Sequence, residues 1–147
     1  MKKNEKKVVT LYSDGSSLGN PGAGGWGTIL EYKGKKKELS GNEKNTTNNR
    51  MELTAVIRGL QELKEPCTVE VVTDSSYVAN AINSWLKNWI AKDFKNVKNV
   101  DLWQEYLSAS KQHNIKATWV RGHNGHTENE RCDTLATTAA KKLQKEN

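Results

Sequence analysis

Residues 8–27 read VVTLYSDGSSLGNPGAGGWG. Over 8–13, branched and aromatic residues fall on both alternating sets of positions, the pattern of a strand buried on both faces in an α/β domain. That strand is expected to end at the carboxylate of Asp14. Gly19, Pro21, Gly22, Gly24 and Gly25 follow in a loop where backbone can approach a ligand closely or simply turn. The formal G-x-G-x-x-G match over 22–27 is not a dinucleotide site, because Thr28, Ile29, Leu30, Glu31 and Tyr32 continue it as a strand where a helix is required.

Working outward, residues 25–32 and 35–41 read as two further strands joined at Lys33 and Gly34, a meander with the first. Lys35, Lys36 and Lys37 suit an exposed sheet edge. The polar stretch 41–49 leads to Thr46, Thr47, Asn48 and Asn49, all suited to a helix N-terminus, and that helix runs to about residue 63. Glu52 shares a face with Ala55, Val56, Gly59 and Leu63, so a carboxylate faces the core and needs a partner. A plainer account is a loose capping box, Asn49-x-x-Glu52. Residues 68–73 form a buried-type strand ending at Asp74, followed by helical spacing of Tyr77, Val78, Ala81 and Ile82. Asp74 is either an N-cap or, if its strand runs parallel beside the first, a neighbour of Asp14 at the crevice where open α/β sheets bind ligands.

Residues 85–103, WLKNWIAKDFKNVKNVDLW, interleave aromatics with Lys87, Lys92, Lys95 and Lys98. Basic residues can neutralise phosphates and aromatics can stack on bases, while Trp85 and Trp89 at i and i+4 equally suit core packing. A last strand over 115–120 leads into a glycine-flanked loop carrying His123. The final helix opens with the capping box Thr127-x-x-Glu130 and continues to about residue 142. Asp133 lies one turn in, beside the small apolar positions Cys132, Ala136 and Ala140.

The 147 residues suffice for one domain with its own core, 1–147, preceded by a basic tail over 1–7. Cys67 and Cys132 stand outside any C-x-x-C spacing and no apolar leader precedes them, so reduced core thiols in a cytoplasmic protein are expected. No stretch has the apolar length of a membrane span. The formal charge is +6, of which the segments 1–7 and 141–147 carry +3 and +2, leaving +1 for the body. If four body carboxylates are held by cations, the remaining surface carries +5 and suits an anionic partner.

Those four are Asp14, Glu52, Asp74 and Asp133. Each sits at an element end or on a buried face, and like charges so placed cannot all stay ionised without cations. All-oxygen ligation, without Cys or paired His, favours Mg²⁺ or Mn²⁺. Two such ions could clamp an in-line phosphoryl displacement, which makes a nuclease the natural hypothesis.

The stretches YSDGSSLGNPGAGGWG, TTNNRMELTA, VTDSSYV, NVDLW and WVRGHNGHTENERCDTLA resemble, in order and spacing, those of bacterial type 1 ribonuclease H, over residues 8–143. The resemblance implies the RNase H-like fold: a five-stranded mixed sheet in order 3-2-1-4-5 with helices on both faces. It places Asp14, Glu52, Asp74 and Asp133 as metal-binding catalytic carboxylates and His123 as the loop histidine that assists proton transfer or product release. It also implies hydrolysis of the RNA strand of RNA/DNA hybrids with two Mg²⁺ ions, leaving 5′-phosphate and 3′-hydroxyl ends.

By the same resemblance, Asn20, Asn48 and Asn49 contact substrate near the minor groove, and Thr47 with Asn88 grips a DNA-strand phosphate. Trp85, Lys87, Lys95 and Lys98 match the basic protrusion, here shorter than in the best-known enzymes and diluted by Asp93. Ser76 counts with the substrate-binding set but stands where a longer glutamine is common, which is expected to take away one RNA contact. A monomer without an obligate protein partner is expected. The rivals are a DNA-cutting metal nuclease of the same fold and a non-catalytic hybrid-binding module.

Overall fold

The computed structural model describes residues 6–121 and 127–145, the side chain of Lys145 excepted. Five strands, β1 (Lys7–Ser17), β2 (Gly22–Tyr32), β3 (Lys35–Thr46), β4 (Cys67–Thr73) and β5 (Asn114–Trp119), form one sheet in the order β3-β2-β1-β4-β5. The meander β1-β2-β3 is antiparallel, and β4 and β5 add in parallel. The helices are α1 (Asn48–Glu62), α2 (Ser76–Asn80), α3 (Leu86–Ala91), α4 (Val100–Ser110) and α5 (Thr127–Lys145), with a π-helical turn over Ala81–Trp85 joining α2 to α3.

Strand alternation decides which helix covers which face. On β2, a Cβ at Gly24 would touch the Met51 side chain and one at Gly59 would meet Thr28 Cγ2 at 2.9 Å, so this face belongs to α1. The opposite set, Gly25 and Gly27, lies against α5: a Cβ there would stand 2.0 Å from Ala136 O or 2.5 Å from Cys132 O. Gly22, Gly24 and Gly25, expected in a ligand-approach loop, thus lie inside β2, where Gly25 with Gly27 lets the α5 backbone rest on the sheet. Cys132, Ala136 and Ala140 complete that thin layer, and both cysteines are free and buried.

The thicker core lies on the α1 face, where Leu11, Leu53, Val56, Ile57, Leu60, Val69, Val71 and Trp103 pack together. Strand β3 extends through the polar stretch to Thr46, because pairing from Tyr32↔Lys35 to Gly22↔Thr46 satisfies its backbone whatever its side chains. As an edge strand it exposes Lys35, Lys36 and Lys37; Lys36 pairs with Glu128 at 2.8 Å and Lys37 with Glu62. The other edge, β5, is shielded by one side chain. Asn83 donates to Ala117 O at 2.8 Å and accepts from Ala117 N at 3.0 Å, standing in for a missing strand. No helix among the described residues is long and apolar enough to cross a membrane.

Candidate active site

Strand β1 does not stop at Asp14. It continues antiparallel to β2, with Asp14 opposite Gly27, while its parallel pairing with β4 ends at Ser13↔Thr73. Asp14 and Asp74 therefore both stand one residue beyond the last parallel pair, at the crevice predicted for such a sheet. Asp74 is not the cap of α2: Ser75 is, its hydroxyl accepting from Val78 N at 3.1 Å. Glu52 is likewise no part of a capping box, since the N-cap of α1 is Thr47, which accepts from Arg50 N at 3.3 Å.

Carboxylate oxygens of Asp14, Glu52 and Asp74 lie within 4.8 Å of one another. Asp14 is buried and accepts from the Gly15 amide at 2.9 Å. Burial pushes its carboxyl up to about 8; the charges of Asp74 and Asp133 add to the rise, and the Gly15 amide opposes it. Asp133, on α5, is close enough for its charge to act on Asp14. Glu52 is raised well above the usual carboxylate range, first by burial and then by the charges of Asp14 and Asp74. Its Oε1 is buried without a hydrogen-bond partner. An orphaned carboxylate oxygen beside two other carboxylates is a site short of positive charge.

The loop after β1 meets the start of α1. Asn48 Oδ1 accepts from Ser17 N at 2.7 Å and Asn20 Oδ1 accepts from Asn48 N at 3.3 Å, leaving Asn20, Asn48 and Asn49 exposed together at the rim. Ser76 is exposed at the first residue of α2. Lys87, Asn88, Lys95 and Lys98 are exposed on α3 and the turn after it. Trp85 is 40% exposed and begins a ladder of ring contacts through Trp89 (5.9 Å) to buried Trp103 (5.5 Å) and Tyr106 (5.5 Å). Packing and exposure coexist in that one side chain. His123 lies outside the described residues.

Several residues at the site carried no signal in the sequence. Arg50 donates to both carboxylate oxygens of Asp101 (3.0 and 2.7 Å) and to Asn99 Oδ1 (3.2 Å), tying the first turn of α1 to the start of α4. Asn129 Nδ2 on α5 donates to Val72 O at 3.0 Å. Trp119 belongs by alternation with Ile115 and Ala117, yet is half exposed and donates to Asp74 O. Each depends on what faces it from a distant segment, which local pattern does not encode.

The sequence model of the RNase H family matches residues 6–141. The chain belongs to the RNase H family. Among its relatives, a Ribonuclease H of Sulfurovum sp. is 64% identical over 144 residues, 98% of either chain. A Ribonuclease HI of Helicobacter pylori is 57% identical over 137 residues, covering 93% of this chain and 96% of the relative. The crystal structure of LC9-RNase H1, described as a type 1 RNase H with the type 2 active-site motif, superposes with a TM-score of 0.87 at 33% identity. That match covers 97% of this chain and 76% of the other. LC11-RNase H1 in complex with RNA/DNA hybrid shares the fold, with a TM-score of 0.69 at 23% identity over 92% of this chain and 99% of that one. The family assignment and the sheet order 3-2-1-4-5 agree with the expectation from the sequence.

Proposed function

We propose that this chain is a metal-dependent endonuclease that hydrolyses the RNA strand of RNA/DNA hybrids. The observation that carries the reading is the convergence of Asp14, Glu52 and Asp74 from a strand, a helix and a strand end within 4.8 Å, with Asp133 beside Asp14. The donors are all oxygen, and the unpartnered Oε1 of Glu52 fits a hard divalent cation, Mg²⁺ with Mn²⁺ as substitute. Two such ions bound with substrate phosphate would supply Lewis acidity on both sides of the scissile bond and lower the pKa of the attacking water.

The chain's own residues do the rest. Asp14 is the shared member of the cluster, with the charges of Asp74 and Asp133 acting on it and its own acting on Glu52, so it anchors the arrangement. In-line attack of water then leaves 5′-phosphate and 3′-hydroxyl ends, with His123 assisting proton transfer or product release. Asn20, Asn48 and Asn49 read the minor groove, where the 2′-hydroxyl distinguishes RNA from DNA. Thr47 and Asn88 hold a DNA-strand phosphate, while Trp85, Lys87, Lys95 and Lys98 supply stacking and charge. The working unit in this reading is one domain acting as a monomer in the cytoplasm.

The test is cleavage of an end-labelled RNA/DNA hybrid beside matched RNA and DNA duplexes, with Mg²⁺ and then EDTA, for wild type and Asp74→Asn. Cutting of the hybrid's RNA strand alone, lost with chelator and in the variant, is the expected result. Cutting of uniform DNA duplex would instead indicate a DNA nuclease of the same fold. Tight hybrid binding without cutting would indicate a binding module.

A further inference from the structure

Trp119 closes β5 with half of its surface exposed (50%), an unusual position for an indole. Its Nε1 donates to the backbone carbonyl of Asp74 at 3.0 Å. The next amide, Val120 N, donates to Thr73 O at 2.9 Å, continuing the ladder beyond the last pair, Thr73↔Trp119. On the other side of Asp74, Ser75 N donates to Thr73 Oγ1 at 3.0 Å and Ser75 Oγ caps α2 through Val78 N at 3.1 Å. The residues flanking Asp74 are thus held by the strand and by the helix cap. The carbonyl of Asp74 itself is held by the indole.

We infer that Trp119 is a positioning residue for Asp74: its indole N–H holds the Asp74 peptide in the orientation that keeps the carboxylate within ligating reach of Asp14 and Glu52. The carbonyl of Asp74 and the amide of Ser75 belong to one peptide, held at its oxygen by the indole and at its N–H by Thr73 Oγ1; releasing the oxygen frees rotation about the Asp74 Cα–C bond, which redirects the side chain relative to that peptide. Ligand carboxylates of Mg²⁺ must stay within about 0.5 Å of their working geometry, so a modest rotation disables the site. A rigid two-torsion side chain from the adjacent strand provides such a hold at low entropic cost. This inference rests on the reading of Asp14, Glu52 and Asp74 as metal ligands.

Two variants separate the hydrogen bond from the ring. Trp119→Phe keeps an aromatic surface and removes the donor; Trp119→His restores one, since imidazole Nε2 occupies the same ring position as indole Nε1. Calorimetric titration with Mg²⁺ and with Mn²⁺, without nucleic acid, is compared with kcat and KM on the hybrid and with Tm. Loss of the donor is expected to weaken metal binding and kcat by about 10-fold, with KM within about twofold, and His to recover most of the loss. Unchanged metal affinity in Trp119→Phe overturns the inference, as does a variant whose KM alone rises, which would make the indole a substrate contact. If wild type binds metal but cuts no hybrid, the proposed activity fails while the Phe and His affinities still decide the role of Trp119.

Discussion

Gly15 lies directly against the backbone of Glu52: a Cβ on Gly15 would stand 2.3 Å from the Glu52 amide nitrogen. That contact is what lets a helix on one face of the sheet deliver a carboxylate to a strand end. Gly15→Ala must push the first turns of α1 away. A loss of about 1–3 kcal/mol in stability is expected, with a fall in kcat of more than about 10-fold from displaced Glu52. Thermal melts and steady-state hybrid cleavage check both, and a variant with wild-type kcat would refute the steric account.

The crowded carboxylates make the metal-free protein pH-sensitive in a defined direction. Asp14 has its pKa raised to about 8, and Glu52 shifts the same way. Relative to an unfolded value near 4, the folded state holds extra protons, so stability is fully present below about pH 4 and falls as pH rises towards about 8. Asp14→Asn is expected to stabilise the metal-free protein at pH 8 by about 2 kcal/mol and to flatten the slope. Melts from pH 5 to 8 in EDTA are the measurement, and a Tm that rises over that window in wild type would contradict it. Added Mg²⁺ should raise Tm most at the alkaline end.

The protrusion should act on binding more than on chemistry. Lys87, Lys95 and Lys98 are exposed and outside the carboxylate cluster. Replacing all three with Ala should reduce the slope of log K against log salt by about 2–3 for hybrid binding, with kcat nearly unchanged. Binding isotherms at several salt concentrations read the slope. An effect confined to kcat would remove these residues from the binding surface.

Asn83 offers a test of stability alone. Its amide satisfies both backbone groups of Ala117 on the edge strand. Asn83→Ala should cost about 2 kcal/mol and increase association through the exposed edge of β5. Asn83→Asp, which keeps only the acceptor, should fall between. Urea melts and light scattering distinguish them.

Sequence by itself determined the strand and helix succession, the placement of all four carboxylates at element ends or buried helix positions, and, through spaced motifs, the family. Those signals are local: alternation on a strand, 3.6-residue spacing on α1 and small polar residues before a helix are set by neighbours within a few positions. Tertiary structure alone decided that β1 runs past Asp14, that β3 continues through polar residues to Thr46, and that Ser75 and Thr47 take the caps, which removes those plainer roles from Asp74 and Glu52. It also made Gly25 and Gly27 the seat of α5, and placed Trp119 on the carbonyl of Asp74. Backbone pairing and close approach depend on which distant segment lies opposite, and that is fixed only when the sheet and its two helical layers assemble.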